Sequence, residues 1–220
     1  MKYHRKAEQF FTKSEKERIR NTTKEVELKT VGEIAVVVVD QSSHYREAEI
    51  LGGIFSGSLV SLIVSAVFFH SSLWFYIPLS FLLFFPGRFL FQRVPHLKEV
   101  FTGRKRRELA VRERAVKAFY ENGLYRTRQN TGVLFFISLL ERKVWVLADK
   151  GIHEKIKQQT LNRFADVVSK GIREGRACDA LCEAIGEAGE VLAKHYPVTP
   201  GDVDELPDGV ICEPGGECDT

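Results

Sequence analysis

A long uncharged stretch divides the chain into two hydrophilic parts. Residues 50–87 include no Asp, Glu, Lys or Arg over 38 positions. A helix of roughly 20 apolar residues crosses a hydrocarbon layer about 30 Å thick. We therefore predict one membrane span at residues 50–69 and a second at 73–91, with the polar residues 70–72 as the turn between them. A pair of buried helices in a soluble core is the alternative, but core helices usually keep a polar face.

Small residues and flanking cations predict how these spans pack and how they are oriented. Gly53, Gly57 and Ser61 recur every four residues, a spacing that lets two helices approach closely. Lys and Arg concentrate on the cytoplasmic side of membrane spans. Both termini are therefore expected in the cytoplasm, in a two-span protein of the inner membrane without a cleavable signal peptide. The cations at the end of the second span and after it are Arg88, Arg93, Lys98, Arg104, Lys105, Arg106 and Arg107.

The two flanks have the patterns of helices and strands. Thr12 and Glu15 form a capping box that predicts the start of the first helix. Three runs are apolar at nearly every position, as in strands covered on both faces. The predicted strands are 34–39, 132–140 and 143–148, and the later helices are 104–122, 153–170 and 177–195.

One strand before the uncharged stretch cannot form a core alone, so the flanks are expected to fold together. Three apolar strands with helices for both faces predict a three-layer α/β/α domain with the helical hairpin inserted after the first strand. Residues 1–49 form the first part of this domain, 50–92 the hairpin, 93–197 the remainder and 198–220 a flexible tail. Two spans return the chain to the same side of the membrane, as this arrangement requires.

The amino-acid composition excludes several classes of protein. With 44% hydrophobic residues, 17 Gly and four Cys, the chain is neither disordered, nor collagen-like, nor a disulfide scaffold. A net charge of +3 does not indicate a nucleic-acid partner. The basic run at residues 104–107 lies close to the second span, where it would set topology and meet anionic headgroups. The expected partners are the lipid bilayer and other membrane proteins, with no nucleic acid.

An ordered set of short motifs outside the hairpin resembles the TPM domain family over about 150 residues. The motifs are Glu27-x-x-Thr30-x-Gly32-Glu33-Ile34-Ala35-Val36-Val37, Ala115-x-x-Ala118-Phe119, Gly123-Leu124, Thr127, Gly132-Val133-Leu134, Ile137-Ser138, Glu141-Arg142, Leu147-Ala148-Asp149-x-Gly151-Ile152, Gly175, Leu181, Ala184-Ile185-Gly186, Leu192-Ala193 and Tyr196-Pro197. The family includes a thylakoid acid phosphatase, a photosystem II repair factor, a receptor modulator and bacterial membrane proteins. The resemblance implies an α/β/α fold, usually membrane-attached. The acidic, Gly-rich stretch of its phosphatase-like branch has no match after the first strand here.

Asp149 is the candidate metal ligand. It follows the third predicted strand and precedes a helix, a position where sites collect in α/β folds. Its carboxylate could hold a divalent cation such as calcium or magnesium, or could cap the helix. Asp40 and Glu174 are possible neighbours, but the sequence does not show whether they converge. His153 lies in the first turn of that helix. It could act as a base or a metal ligand, or it could be an ordinary solvated side chain on the surface.

Cysteines and nucleophile motifs point to no reaction. Cys178 and Cys182 lie one helical turn apart, and Cys212 and Cys218 lie in the tail. The four thiols could bind zinc or form a tail disulfide, but their spacings are not those of compact zinc knuckles, and a cytoplasmic location favours reduced thiols. Neither a nucleophile elbow nor a phosphate loop is present, so no catalytic residue is assigned.

These observations predict a membrane-anchored, non-enzymatic interaction or assembly-support module at the cytoplasmic face. A divalent-cation-dependent, acid phosphatase-like hydrolase with Asp149 as ligand is the alternative.

Overall fold

The computed structural model describes residues 7–43, 45–68, 73–93, 102–127, 129–198, 209–212 and 216–217. Helices and strands occupy most of these ranges. The elements are α1 Lys13–Glu27, β1 Glu33–Val39, α2 Arg46–Phe68, α3 Leu73–Arg93, α4 Arg104–Glu121, a 3₁₀ turn at Leu124–Arg126, β2 Gly132–Ser138, β3 Lys143–Ala148, α5 Lys150–Lys155, α6 Gln158–Arg173, α7 Ala177–His195, β4 Val210–Cys212 and β5 Gly216–Glu217.

The chain divides into two compact units. The first comprises Met1–Ser42 together with Ala110–Thr220, and the second comprises Ser43–Leu109. The first unit contains the sheet and is built from both ends of the chain. The predicted α/β fold with a helical hairpin inserted after the first strand is confirmed.

A mixed sheet organises the first unit, with strand order β3-β2-β1-β4-β5. β1 lies parallel to β2, with Glu33 opposite Gly132 and Val39 opposite Ser138. β3 returns antiparallel to β2 as a hairpin, and β4 lies parallel to β1 on its other side. All seven residues of β1 and all seven of β2 are buried, because β-branched and aromatic side chains on both faces need cover on both faces.

The two faces of the sheet carry different layers. Ile34, Val36 and Val38 pack with α1, α5, α6 and α7, whereas the alternate side chains of β1 pack with α4. Phe135 and Phe136 are fully buried on opposite faces, and each such side chain stabilises the fold by roughly 1.5–3 kcal/mol. The α4 side chains that pack in the core between α4 and the sheet are Val111, Ala115, Ala118 and Phe119.

Local signals explain where several helices begin and end. The predicted capping box is present: the Thr12 amide donates to Glu15 Oε2 at 2.8 Å, and the Glu15 amide donates to Thr12 Oγ1 at 3.3 Å. α1 buries the narrow stripe Ile19, Thr23 and Val26. Gly123 follows α4 with φ +75°, the left-handed conformation that glycine adopts without a Cβ clash.

Three features differ from the sequence prediction. The helix expected at residues 153–170 is two helices, α5 and α6, because Ile156 is extended (φ −114°, ψ 121°). β2 ends at Ser138, since residues 139–142 form the turn into β3. Residues 210–212, which the sequence assigns to a flexible tail, form β4 against the open edge of β1. Most of the remaining residues after 198 lie outside the described ranges.

The second unit contains α2, α3 and the start of α4. Within it, α2 packs against α3. The predicted small-residue contact is present, because Gly53, Gly57 and Ser61 are buried on α2. A Cβ built on Gly57 would lie 2.9 Å from the backbone nitrogen of Phe84, so the two backbones approach closely. Ser61 Oγ also donates to the Tyr76 carbonyl at 2.9 Å. Both helices are long and apolar enough to cross a membrane. The predicted turn, residues 70–72, lies outside the described residues.

Candidate functional site

The carboxyl ends of β1 and β2 meet at one edge of the sheet. Sites of α/β proteins collect at such edges, because loops from neighbouring parallel strands converge there. Here the converging segments are 40–42, which follow β1, and 139–142, which join β2 to β3. The polar side chains that this edge brings together are those of Asp40, Ser42, Ser138 and Glu141.

Glu141 lies at the centre of a buried hydrogen-bond network. Its side chain accepts the Ser42 amide, at 3.0 Å to Oε1 and 3.2 Å to Oε2. The Ser138 hydroxyl donates to Glu141 Oε2 and accepts the Ser42 hydroxyl at 2.8 Å. Glu141 is 5% exposed and Ser138 is 1% exposed. A buried carboxylate requires such donors, and these donors tie the last residue of the first chain segment to the β2–β3 turn.

Asp40 has a related structural role at the same edge. Its Oδ1 accepts the backbone amide of Ala7 at 2.6 Å. Its carbonyl accepts the amide of Leu140 at 3.0 Å, which extends the β1–β2 pairing beyond the strand ends. Asp40 therefore fastens the N-terminal segment and the β2–β3 turn to the end of β1.

Asp149 caps a helix at the opposite edge of the sheet. Its carboxylate accepts the Lys150 amide at 2.7 Å, and its backbone is extended (φ −75°, ψ 169°), as at an N-cap. Its other oxygen, Oδ2, is buried and has no hydrogen-bond partner among the described residues. The capping alternative is thus what the geometry shows, and binding of calcium or magnesium stays a prediction.

The candidate carboxylates do not converge. β3 runs antiparallel to β2, so Asp149 follows the strand end opposite Val133, whereas Asp40 follows the end opposite Ser138. Six residues at about 3.3 Å each separate these edges by roughly 20 Å. Glu174, after α6, pairs with Arg176 at 2.7 Å. His153 is exposed on α5. Among the described residues, no group of three or more His, Cys, Asp or Glu side chains is arranged to hold a metal ion.

The cysteines fall into two classes. Cys178 is buried, and burial together with the neighbouring Cys182 thiol raises the pKa of Cys178 to about 12. Cys178 and Cys182 are free thiols. Cys212, in β4, is disulfide-bonded, so its sulfur is not available as a zinc thiolate. Cys218 lies outside the described residues.

Tyr196 closes the cap region around Asp149. Its hydroxyl donates to the Gly151 carbonyl, and the Lys155 ammonium lies 4.2 Å from the centre of its ring. Burial, with the nearby Glu154 carboxylate, raises the pKa of the tyrosine hydroxyl. Gly151 is needed here, because an added Cβ would lie 2.6 Å from the Gln129 carbonyl oxygen.

Ser138 and Glu141 belong to the motifs that resemble the TPM domain, but neither was predicted as a site residue. One signal could have identified them, since Ser138 and Glu141 are three residues apart at the end of an otherwise wholly apolar strand. A serine hydroxyl that is buried at the end of a strand needs a hydrogen-bond partner.

The fold and this edge define the class of protein: an α/β domain, assembled from both ends of a chain, with an apolar helical hairpin inserted after its first strand. Residues 99–191 match the family model described as TPM domain. Over these residues, which run from the approach to α4 into α7, the chain is similar to a TPM domain.

Among solved structures, the chain resembles the NMR structure of BA42 protein from the psychrophilic bacterium Bizionia argentinensis. The TM-score is 0.58 at 18% sequence identity, and the alignment covers 92% of this chain and 95% of that one. This likeness shows the fold. No curated protein matches the chain.

Proposed function

We propose that this protein is a membrane-anchored TPM-domain protein whose α/β domain acts as a non-enzymatic interaction or assembly-support module. The observation that carries the proposal is the Glu141 network. At the edge where α/β enzymes gather reactive groups, both oxygens of this carboxylate accept hydrogen bonds within the fold. The edge fastens Ser42, the last residue before the hairpin unit, to the sheet.

Membrane anchoring is supported by the surface of the hairpin. The described buried positions of α2 are small or polar and Phe91 of α3 is buried, whereas most large apolar side chains of both helices are exposed, among them Val67 at 68% and Phe81 at 70%. A soluble helix pair has the reverse arrangement, with its large apolar side chains inside. Lipid is the solvent that suits this surface.

The proposed location is the inner membrane with both termini cytoplasmic, because the cations cluster after the second span. The disulfide at Cys212 predicts the opposite compartment, since structural disulfides persist in oxidising surroundings. A reporter active only in the cytoplasm, fused after Thr220, decides between them. Activity supports the proposed topology. Activity of the matched periplasmic reporter in its place overturns it.

The interaction role is tested by crosslinking the full chain in native membranes and identifying what is captured. An unrelated two-span protein in the same membranes provides the comparison. We expect a small, reproducible set of membrane proteins with the wild type. Capture of only the most abundant membrane proteins, equally by an unrelated two-span protein, contradicts the role.

A divalent-cation-dependent phosphatase is the second candidate, because Asp149 Oδ2 is buried without a partner in the described part of the chain. The purified chain is assayed against a generic phosphomonoester with calcium, with magnesium and with chelator. Asp149→Asn keeps the size of the cap, and Glu174→Gln serves as the matched control. Turnover that needs metal and is abolished by Asp149→Asn alone would overturn the non-enzymatic proposal.

A further inference from the structure

An exposed tyrosine pair lies on the α4 side of the first unit. Tyr120 is 59% exposed and Tyr125 is 39% exposed, and their ring centres lie 5.3 Å apart. Val116 precedes Tyr120 by one turn and lies on the same face of α4. We call Arg112, Val116, Tyr120, Tyr125 and Arg126 the tyrosine patch, all of which belong to the first unit.

The patch is held in a fixed geometry. Tyr120 packs edge-on against buried Phe119, with ring centres 5.9 Å apart. Arg126 Nε donates to the Tyr125 hydroxyl at 2.8 Å, and its guanidinium carbon lies 5.3 Å from the centre of that ring. Two tyrosines anchored in this way lose little conformational entropy on binding, because each has few rotatable bonds left to order.

Two cations flank the rings, and one acidic side chain, Glu113, is exposed on the same face of α4 as Tyr120. Arg112 lies one turn before Val116, and Arg126 lies beside Tyr125. The carboxylate of Glu121, next to the patch, is already paired with Arg114 at 2.9 Å and with Lys117 at 3.4 Å. Although burial alone would raise the pKa of Glu121, these two cations lower it, so the carboxylate stays ionised and neutralised. The patch therefore presents positive charge beside aromatic rings.

We propose that the tyrosine patch docks on the headgroup region of an anionic bilayer, as a membrane contact separate from the hairpin. Tyrosine and arginine are the side chains that favour this region, with apolar bodies toward the acyl chains and polar ends toward phosphate. Three exposed apolar side chains cover far less than the roughly 800 Å² per partner of a stable protein interface. The charge complements anionic lipid. This inference rests on the membrane anchoring proposed above.

The test places the full chain in nanodiscs of phosphatidylcholine alone or mixed with phosphatidylglycerol. A nitroxide amino acid at position 116 reports its collision rate with a water-soluble nickel relaxant. Position 28 is the control, since Leu28 is 77% exposed at the end of α1, which packs on the other face of the sheet. We expect collisions at 116 to fall at least fivefold in anionic discs, since each of the two patch cations contributes about that factor near such a surface, with no change at 28.

A variant carrying Arg112→Gln and Arg126→Gln should restore collisions at 116, and so should Tyr120→Ser with Tyr125→Ser. Equal collision rates at 116 in the two lipids overturn the inference while leaving the anchor intact. Protection that requires two copies of the chain in one disc also overturns it, because the patch would then bind protein. A chain that enters neither type of disc refutes both the anchor and the patch.

Discussion

Glu141 is a single side chain on which a whole edge of the sheet depends. Removing its carboxylate leaves the partly buried Ser42 amide and the buried Ser138 hydroxyl without their acceptor. Glu141→Ala is therefore expected to lower the free energy of unfolding by about 3 kcal/mol, measured by urea denaturation of the full chain in mild detergent. Glu190→Ala, on the exposed side of α7, should change it by less than about 0.5 kcal/mol. Equal effects of the two variants would show that the network contributes no stability.

Cys178 gives a second prediction at the scale of one residue. Because burial and Cys182 raise its pKa to about 12, almost none of it is thiolate at pH 8, and the thiolate is the nucleophile. Iodoacetamide should modify Cys182 at pH 8 and leave Cys178 unmodified until the chain unfolds. Fragment ions of the α7 peptide distinguish the two sites. Alkylation of both at the same rate would contradict the assignment.

The same shift predicts a dependence of stability on pH. The unfolded Cys178 loses its proton near the ordinary pKa of 9, before the folded one does. Between about pH 9 and pH 12 the folded state holds more protons, so its stability falls as the pH rises. The slope in this window should become shallower in Cys178→Ala, measured by thermal melts at closely spaced pH values. An unchanged slope would exclude Cys178 as a cause.

Two glycines allow a prediction at the scale of elements. Gly151 lies in the first turn of α5, close to two backbone carbonyls. A Cβ added to it would lie 2.6 Å from the Gln129 carbonyl oxygen and 2.7 Å from that of Asn130. Gly186, within α7, has open space around it. Gly151→Ala should destabilise the domain by about 1–3 kcal/mol, whereas Gly186→Ala should stabilise it by up to about 1 kcal/mol. Thermal melts of both variants check the opposite signs, and two losses of equal size would refute the contact.

Gly57 makes the corresponding prediction for the hairpin. A side chain there meets the backbone of Phe84, so Gly57→Leu must separate α2 from α3. Val60→Leu, at an outward position of the same helix, is the matched control. We expect Gly57→Leu to make the hairpin accessible to protease in detergent, and Val60→Leu to behave as wild type. Equal resistance of both variants would show that the close approach is not needed.

Elements with a strong periodic signal could be predicted from the sequence to within about two residues. β3 and α7 have the predicted bounds, and β1 begins one residue earlier. The break between α5 and α6 could not be predicted, because no Gly or Pro marks it and the apolar spacing continues through Ile156. β4 is three residues long within Pro- and Gly-containing sequence, so only its place beside β1 makes it a strand.

The candidate site was predicted less well than the fold. A carboxylate at the end of a strand has the same sequence signature whether it caps a helix, holds a metal or closes a turn. Only the antiparallel return of β3 shows that Asp149 and Asp40 lie at opposite edges. Glu141 and Ser138 depend in the same way on a contact with Ser42, almost 100 positions away in the chain.

At the scale of the whole molecule, the first unit has cores on both faces of its own sheet. Replacing residues 43–103 by a flexible Gly/Ser linker should therefore leave a folded, water-soluble α/β domain, because no described side chain of the replaced segment belongs to these cores. Near-UV circular dichroism and gel filtration without detergent test this. A chain that also lacks residues 1–42 should fail the same test, since β1 lies between β2 and β4. Folding of the shorter chain would contradict the central role of β1.

The position of the hairpin also sets an order of events during protein synthesis. Val39, at the end of β1, pairs beside Ser138, which the ribosome adds 99 residues later. At typical elongation rates this interval lasts roughly 5–20 s. Throughout it β1 is apolar and unpaired, and both hairpin helices are synthesised before it ends. If the hairpin enters the bilayer as it emerges, the domain closes only on chains that are already anchored, and a soluble, prematurely folded form never exists.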